Sequence, residues 1–471
     1  MSPARYDLPI HSESLRRTAS AWLMLGLAAL VGAGLFSLML VLARTPAIQD
    51  LLPVADFFRV ALVIHVNLSV LIWLLSIAGV FWALACRDDR PVWDRFSFWM
   101  AAAGTATVAL SPLAGAAEPL MNNYIPILRH PVFHTGMALF AAGIFIHLAR
   151  TSLPWRDCPA EPRGRLTGAD ALRTGSRLAA AITGIAIFAL LASLTSLPAG
   201  MGGLAYYEFL FWGSGHVLQF THTLLMMLSW VLLASASGCR FPLSPRVTIS
   251  FLLILAMPVI TVPFLYLAHD VMSPGHRLAF TELMKFGGLS CLPLGLAVVV
   301  SLWGAAPAQG EARFLRAALV TSIVLFATGG VLGFMISGLD IVIPAHYHGS
   351  TVGVTIAFMG LTYYLLPRLG FGAVPQRMAF WQPIVYGSGQ LMHIAGLAWT
   401  GGYGVQRKTA GAEQGLDRIG EIAGMGLMGL GGLVSVIGGL LFLIVAWRAL
   451  RNRHAVPASQ TQAEDETECR N

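Results

Sequence analysis

Apolar residues run along this chain in long blocks, separated by short stretches that carry most of its charge. A bilayer core about 30 Å thick needs roughly 20 apolar residues to be crossed as a helix. Twelve stretches meet that length, near 20–43, 57–85, 96–118, 131–149, 175–197, 208–236, 248–269, 280–304, 314–338, 345–367, 379–400 and 419–447. The pattern predicts an all-α, polytopic membrane protein with twelve transmembrane helices. A polar, basic segment (1–19) precedes a transmembrane domain over 20–449. A polar tail rich in Gln, Glu and Thr (450–471) follows and is expected to be disordered and cytoplasmic. Nothing after the first block resembles a small-residue cleavage site, so it reads as a retained helix and not as a signal peptide.

Composition agrees. Of 471 residues, 56% are hydrophobic and 11% charged, against roughly 25% charged in a soluble domain, and mean hydropathy is +0.70. The net charge of +7 is a topology signal. With the N-terminus inside, 22 Lys and Arg fall at inner segments and seven at outer ones, and Lys285 lies within a span. That asymmetry predicts that both termini are cytoplasmic and leaves no basic footprint for nucleic acid; the expected location is a bacterial-type inner membrane. Five cysteines (Cys86, Cys158, Cys239, Cys291, Cys469) occur singly, so neither a disulfide framework nor a paired-cysteine metal site is indicated.

Ionisable residues at membrane depth are costly and mark function by default. Any one helix histidine is more often a packing residue than a ligand, but here four segments place histidines toward the outer side: His65 in span 2, His216 in span 6, His269 (with Asp270) at the end of span 7, and His346 with His348 at the start of span 10. Successive helix residues turn by about 100°, so His346 and His348 point about 200° apart. They cannot chelate one ion, and they can address two planar cofactors flanking one helix. His134, His147, His222 and His393 read as packing or hydrogen-bonding residues, and His130 and His276 as loop residues without a role.

The HxH of span 10 (IPAHYHGSTVG), the GH of span 6 (FWGSGHVLQF), the outer-end histidine of span 7 (YLAHDV) and the span-2 histidine (HVNLSVLIWLL) together resemble subunit I of the haem-copper oxidase superfamily, which includes cytochrome c oxidases and nitric oxide reductases. The resemblance implies two haems, one low-spin and one high-spin, and one non-haem metal, iron or copper. His65 and His348 would ligate the low-spin haem and His346 the high-spin haem. His216 and His269 would hold the non-haem metal. Arg407 and Lys408 resemble a basic pair that binds haem propionates. Asp340 resembles a family aspartate near the propionates, although it stands one residue closer to the HxH motif.

Two departures bear on substrate. Phe220 stands where oxidases carry a tyrosine cross-linked to the span-6 histidine, and His269-Asp270 replaces a His-His pair. Two histidines and one carboxylate suit non-haem iron, so both departures lean toward reduction of nitric oxide to nitrous oxide; reduction of oxygen to water is the alternative. Tyr266, three residues before His269, is a packing residue or a displaced functional tyrosine. Glu282 and Lys285, one turn apart, either line a proton route or pair with each other, and Glu208 is a similar candidate. No CxxCH motif occurs, so electrons are expected from a second subunit, a cytochrome c or a copper protein on the outer face. A non-redox multi-pass transporter is the rival of another class.

Overall fold

The computed structural model describes residues 5–10, 12–44, 55–86, 91–152, 166–337, 340–409 and 414–452. Cys158, Cys469 and the expected tail beyond residue 452 lie outside these. Twelve long helices follow one another among the described residues: α1 (Glu13–Arg44), α2 (Phe58–Ala85), α3 (Pro91–Ala114), α4 (Pro131–Ser152), α5 (Gly168–Ser196), α6 (Gly203–Ala236), α7 (Pro245–Ala268), α8 (Pro274–Leu302), α9 (Glu311–Phe334), α10 (Val342–Arg368), α11 (Gln376–Gly401) and α12 (Ile419–Arg451). Eleven are long and apolar enough to cross a bilayer; α11 falls short of that apolarity because its interior carries Gln382, Gln390 and His393. It packs against α9, α10 and α12, so its polar groups meet protein.

Several helices begin earlier than the apolar blocks suggest. α8 starts at Pro274, not near 280, with Ser273 as its cap: the Ser273 Oγ accepts from the His276 N–H at 3.1 Å, and proline at the first helical position lacks a donor that would go unused there. α3 likewise starts at Pro91, with the charged pair Asp94 and Arg95 in its first turn and a half. Amphipathic first turns escape a test that counts only apolar residues.

α2, α6 and α10 are buried along most of their length and form the centre, whereas α7 and α8 lie at the rim and present Met257, Leu267 and Leu296 outward. α7 is interrupted by a 3₁₀ stretch at Met257–Thr261, beside Pro258 and Pro263, and α8 by another at Gly288–Cys291, before Pro293; each proline removes a helical donor. α2 carries a π-helical stretch, Asn67–Ile72, that begins two residues after His65. Such bulges are frequent at functional sites. Antiparallel neighbours approach closely through small residues: a Cβ on Gly104 of α3 would lie 2.3 Å from the backbone nitrogen of Phe140 in α4.

Between α3 and α4 the chain forms a two-stranded antiparallel hairpin, β1 (Pro119–Leu120) and β2 (Ile127–Leu128), with Pro119 opposite Leu128. At the other end of the bundle a buried ion pair, Arg150 Nε to Asp94 Oδ1 at 2.6 Å, joins α4 to α3. There the Tyr6 hydroxyl donates to the Leu243 carbonyl at 2.9 Å, securing the N-terminal segment beside α7.

Candidate functional site

The hairpin tip is built to carry one side chain inward. Asn122 Oδ1 accepts from the backbone N–H groups of Tyr124 (3.1 Å) and Ile125 (2.9 Å), a side-chain turn that fixes Tyr124. Asn67, just past His65, donates from Nδ2 to the Pro126 carbonyl at 2.7 Å. Tyr124 then reaches α6, where its hydroxyl lies 2.8 Å from His216 Nε2. Gly215 makes the approach possible, since a Cβ there would fall 2.3 Å from the tyrosine ring. Burial, with Glu208 nearby, raises the Tyr124 hydroxyl above its ordinary value and keeps it protonated.

His216 Nδ1 donates to the Trp212 carbonyl at 2.7 Å. A carbonyl can only accept, so in the neutral ring Nδ1 carries the proton and Nε2 the lone pair. The same logic fixes His65, whose Nδ1 donates to the Ala33 carbonyl of α1 at 2.9 Å, and His346, whose Nδ1 donates to the Gly329 carbonyl of α9 at 2.7 Å. His346 lies in a notch on α9: a Cβ on Gly333 would come within 2.7 Å of its Nδ1. His348 turns the other way, its ring centroid 4.9 Å from that of His393 on α11. The two histidines of the HxH motif are therefore directed at different helices.

His269 ends α7, and its ring rests over Gly275, where a Cβ would be 2.9 Å from Nδ1. Asp270 is exposed, and its Oδ1 accepts from the Met272 N–H at 2.8 Å, closing the turn between α7 and α8. The Tyr266 hydroxyl donates to the Ala189 carbonyl and meets Ser193 Oγ, both at 2.8 Å, which ties α7 to α5. Glu208 accepts from the Asn123 N–H at 3.0 Å and lies 3.8 Å from Arg277, so it fastens the hairpin. Glu282 and Lys285 form no ion pair among the described residues, and the Lys285 ammonium sits over Phe286 and Phe334. Asp340 bridges Gln406 in the backbone, and its Oδ1 accepts from the Val342 N–H at the start of α10.

Lys408 has a positive φ of 64° and spends its ammonium on the hairpin, donating to the Met121 carbonyl and lying 3.4 Å from the Asn122 carbonyl and Asn123 Oδ1. Burial, and then Arg407 beside it, lower its pKa to about 8, while Glu208 opposes the shift.

Over residues 17–441 the sequence matches the family model of cytochrome c and quinol oxidase polypeptide I. The chain belongs to that family, the subunit I of haem-copper oxidases. An uncharacterized protein of Rickettsia prowazekii strain Madrid E is 29% identical over 93% of this chain and 96% of its own length. One of Aquifex aeolicus strain VF5 is 29% identical over 74% of this chain and 85% of its own. A cryo-EM structure of a haem-copper terminal oxidase dimer shares the fold at 17% identity, with a TM-score of 0.71 over 94% of this chain and 85% of that one. As a family member the chain is a multi-pass membrane oxidoreductase, and the family implies haems, a metal site and an electron-donor partner.

The residues present suit haem. His65 and His346 each have Nδ1 tied to a backbone carbonyl and the lone pair on Nε2, the outer-shell arrangement that fixes a metal-ligating imidazole. The expected donor set of the non-haem metal, His216, His269 and Asp270, does not fit in the same way. Asp270 is committed to a turn, and among the described residues no three metal-type side chains converge on one point. Three elements of this region were not anticipated. Tyr124 stands 92 residues from its partner in a polar loop, and His276 lies inside α8, fully buried, and not in a loop. The Gly329–Gly333 notch is the third; its four-residue spacing was visible in GGVLG.

Proposed function

We propose that the chain is the catalytic subunit of a terminal reductase whose substrate is oxygen, reduced to water with four electrons and four protons. The observation that carries this reading is the Tyr124 hydroxyl at 2.8 Å from His216 Nε2. Phe220, one turn after His216, lacks a hydroxyl, which favoured nitric oxide; the hairpin brings a buried phenol to the same imidazole from elsewhere. The other argument for nitric oxide, a carboxylate beside the two histidines, weakens because Asp270 closes an exposed turn.

Two haems, held by His65 with His348 and by His346, would supply one-electron chemistry at potentials set by their axial ligands and surroundings. The protein's own part is orientation. Ala33 and Gly329 hold two of those imidazoles in one tautomer, and the divergent HxH pair sends one ring toward each side of α10. Tyr124 keeps a proton at Oη beside His216. Glu208, a proton-route candidate, is fastened to the same hairpin through the Asn123 N–H. In this reading the hairpin end faces the periplasm, where an electron-donor subunit or a cytochrome c or copper protein would dock, and both termini are cytoplasmic.

Nitric oxide remains the second reading, favoured by Phe220 on α6. Purified protein with an artificial donor separates them. Oxygen uptake far exceeding nitric oxide consumption is expected. The reverse ratio refutes the oxygen reading, and a preparation without a Soret band would leave only a non-redox role.

A further inference from the structure

We propose that the cleft between α9 and α11, at the end of the bundle away from the hairpin, seats an anionic phospholipid. Its phosphodiester lies against Arg313 and Arg316, and an acyl chain runs along the apolar walls beyond them.

Helical pitch puts Arg313, Arg316 and Val320 on one side of α9, three and seven residues along from the first. Phe380 and Ile384, one turn apart, face them from α11. With Thr321 these residues line a cleft of about 400 Å³. The two helices meet closely beyond the arginines: a Cβ on Gly387 of α11 would fall 2.1 Å from Thr321 Cγ2. The charge stands in the first two turns of α9, and the walls deeper in the membrane are Val320, Ile384 and the Thr321 methyl. A lipid has the same gradient, with its charge at the bilayer surface and hydrocarbon beneath, and basic pockets between membrane helices hold anionic headgroups.

Neither arginine has a carboxylate partner. The Arg313 guanidinium lies over the Phe380 ring at 4.0 Å, which sets its plane, and it forms no hydrogen bond or ion pair among the described residues. Arg316 donates to the Ala306 and Ser237 carbonyls at 2.6 and 2.7 Å. Those bonds hold the side chain without neutralising it, and its buried Nε–H has no acceptor among the described residues. Buried donors left open are rare and call for an absent partner. Glu311, the carboxylate closest in sequence, pairs with Arg368 at 3.5 Å. Two uncompensated guanidiniums beside hydrocarbon favour a phosphate, which accepts from both. A headgroup amine would bring a cation toward them, so phosphatidylglycerol fits and phosphatidylcholine does not. Free phosphate would meet the charge and leave the apolar walls without an occupant.

Native mass spectrometry of the full chain in detergent counts bound lipid during titration with phosphatidylglycerol or phosphatidylcholine of matched acyl chains. Wild type is expected to hold about one phosphatidylglycerol, bound at least roughly fivefold more tightly than phosphatidylcholine, and Arg313→Gln should weaken it roughly fivefold. Val320→Trp fills the apolar part of the cleft from a half-exposed position, leaves both arginines, and should weaken the lipid as much. Arg246→Gln removes an exposed arginine at the start of α7, outside the cleft, and should change nothing. Unaltered elution on size exclusion is the folding control; should Val320→Trp fail it, Arg313→Gln against Arg246→Gln decides. Phosphatidylglycerol bound no more tightly than phosphatidylcholine overturns the proposal, as does equal weakening in Arg246→Gln, or full binding in Arg313→Gln. Displacement of the lipid by an equal concentration of inorganic phosphate would show a free-anion site and likewise overturn it.

Discussion

Replacing Tyr124 with Phe removes one oxygen atom from the hairpin and leaves the ring. The ring keeps its edge contact with Trp212, centroids 5.7 Å apart, and its tilted contact with His216 at 4.7 Å. What disappears is the 2.8 Å hydrogen bond, and the His216 lone pair is left buried without a donor. Leaving one buried partner unsatisfied costs about 1–3 kcal/mol, which is about a 5- to 150-fold rise in the population of the opened hairpin. The remaining ties are to Asn67, Lys408 and Glu208, so opening should stay local to the tip. Hydrogen exchange followed by mass spectrometry in nanodiscs reads this directly at the amides of Tyr124 and Ile125, both bonded to Asn122 Oδ1, because local opening sets their protection. Exchange should accelerate there and not in α3 or α4. Gly215→Ala is the independent perturbation. Its methyl would fall 2.3 Å from the tyrosine ring, so the ring must leave, and the tip should open at least as far. Unchanged exchange in Tyr124→Phe alongside rapid exchange in Gly215→Ala would show that packing alone holds the tip and that the phenol–imidazole bond contributes nothing.

Two further outcomes follow from the same geometry. Lysine occurs only at 285 and 408, so reductive ¹³C-methylation gives two lysine NMR signals besides that of the α-amine, and that of Lys408 should titrate near pH 8. The folded chain then binds fewer protons at this site between about pH 8 and the ordinary value of 10.5, so its contribution to stability rises with pH across that window and its full penalty applies below about 8; a midpoint above 10 would show that the amine is not buried against the hairpin. Gly333→Ala should push the His346 ring off its notch and break its bond to the Gly329 carbonyl, shifting the high-spin haem spectrum while leaving the low-spin bands in place, and an unaltered spectrum would place the haem ligand elsewhere.

Much of the bundle could be read from apolar blocks, because lipid forces each crossing to be long and internally hydrogen-bonded. The starts of α3 and α8 were not, since their first turns mix charge with proline. That is why His276, in the sequence Ser273-Pro274-Gly275-His276, looked like a loop residue; the serine-proline pair at a helix start was the signal that could have corrected it. The divergence of His346 and His348 was legible because it follows from helical pitch alone, and the structure sends them to α9 and α11. Asp270 illustrates the opposite case. An aspartate two residues before a free N–H caps turns for local reasons, and that local chemistry competes with any role assigned by position. Tyr124 could not have been placed at all: nothing in Met121–Pro126 indicates α6, and only the folded hairpin brings the two together.

Backbone carbonyls set the chemistry of this site as much as the histidines do. A carbonyl inside a helix already accepts one N–H from four residues on, yet its oxygen has a second lone pair. An imidazole on another helix can use it only if the side chain at that level is small. Ala33 and Gly329 meet this condition for His65 and His346, and the glycines at 431 and 432 open the way for His393, whose Nδ1 donates to the Met428 carbonyl at 3.0 Å. His216 solves the problem within its own helix through Trp212. In all four the proton is pinned to Nδ1 and the lone pair to Nε2, so the protein chooses the donor atom before anything binds. Small residues on α1, α9 and α12 thus fix which imidazole nitrogen stays free, and enlarging any one of them should release a tautomer as well as crowd a helix.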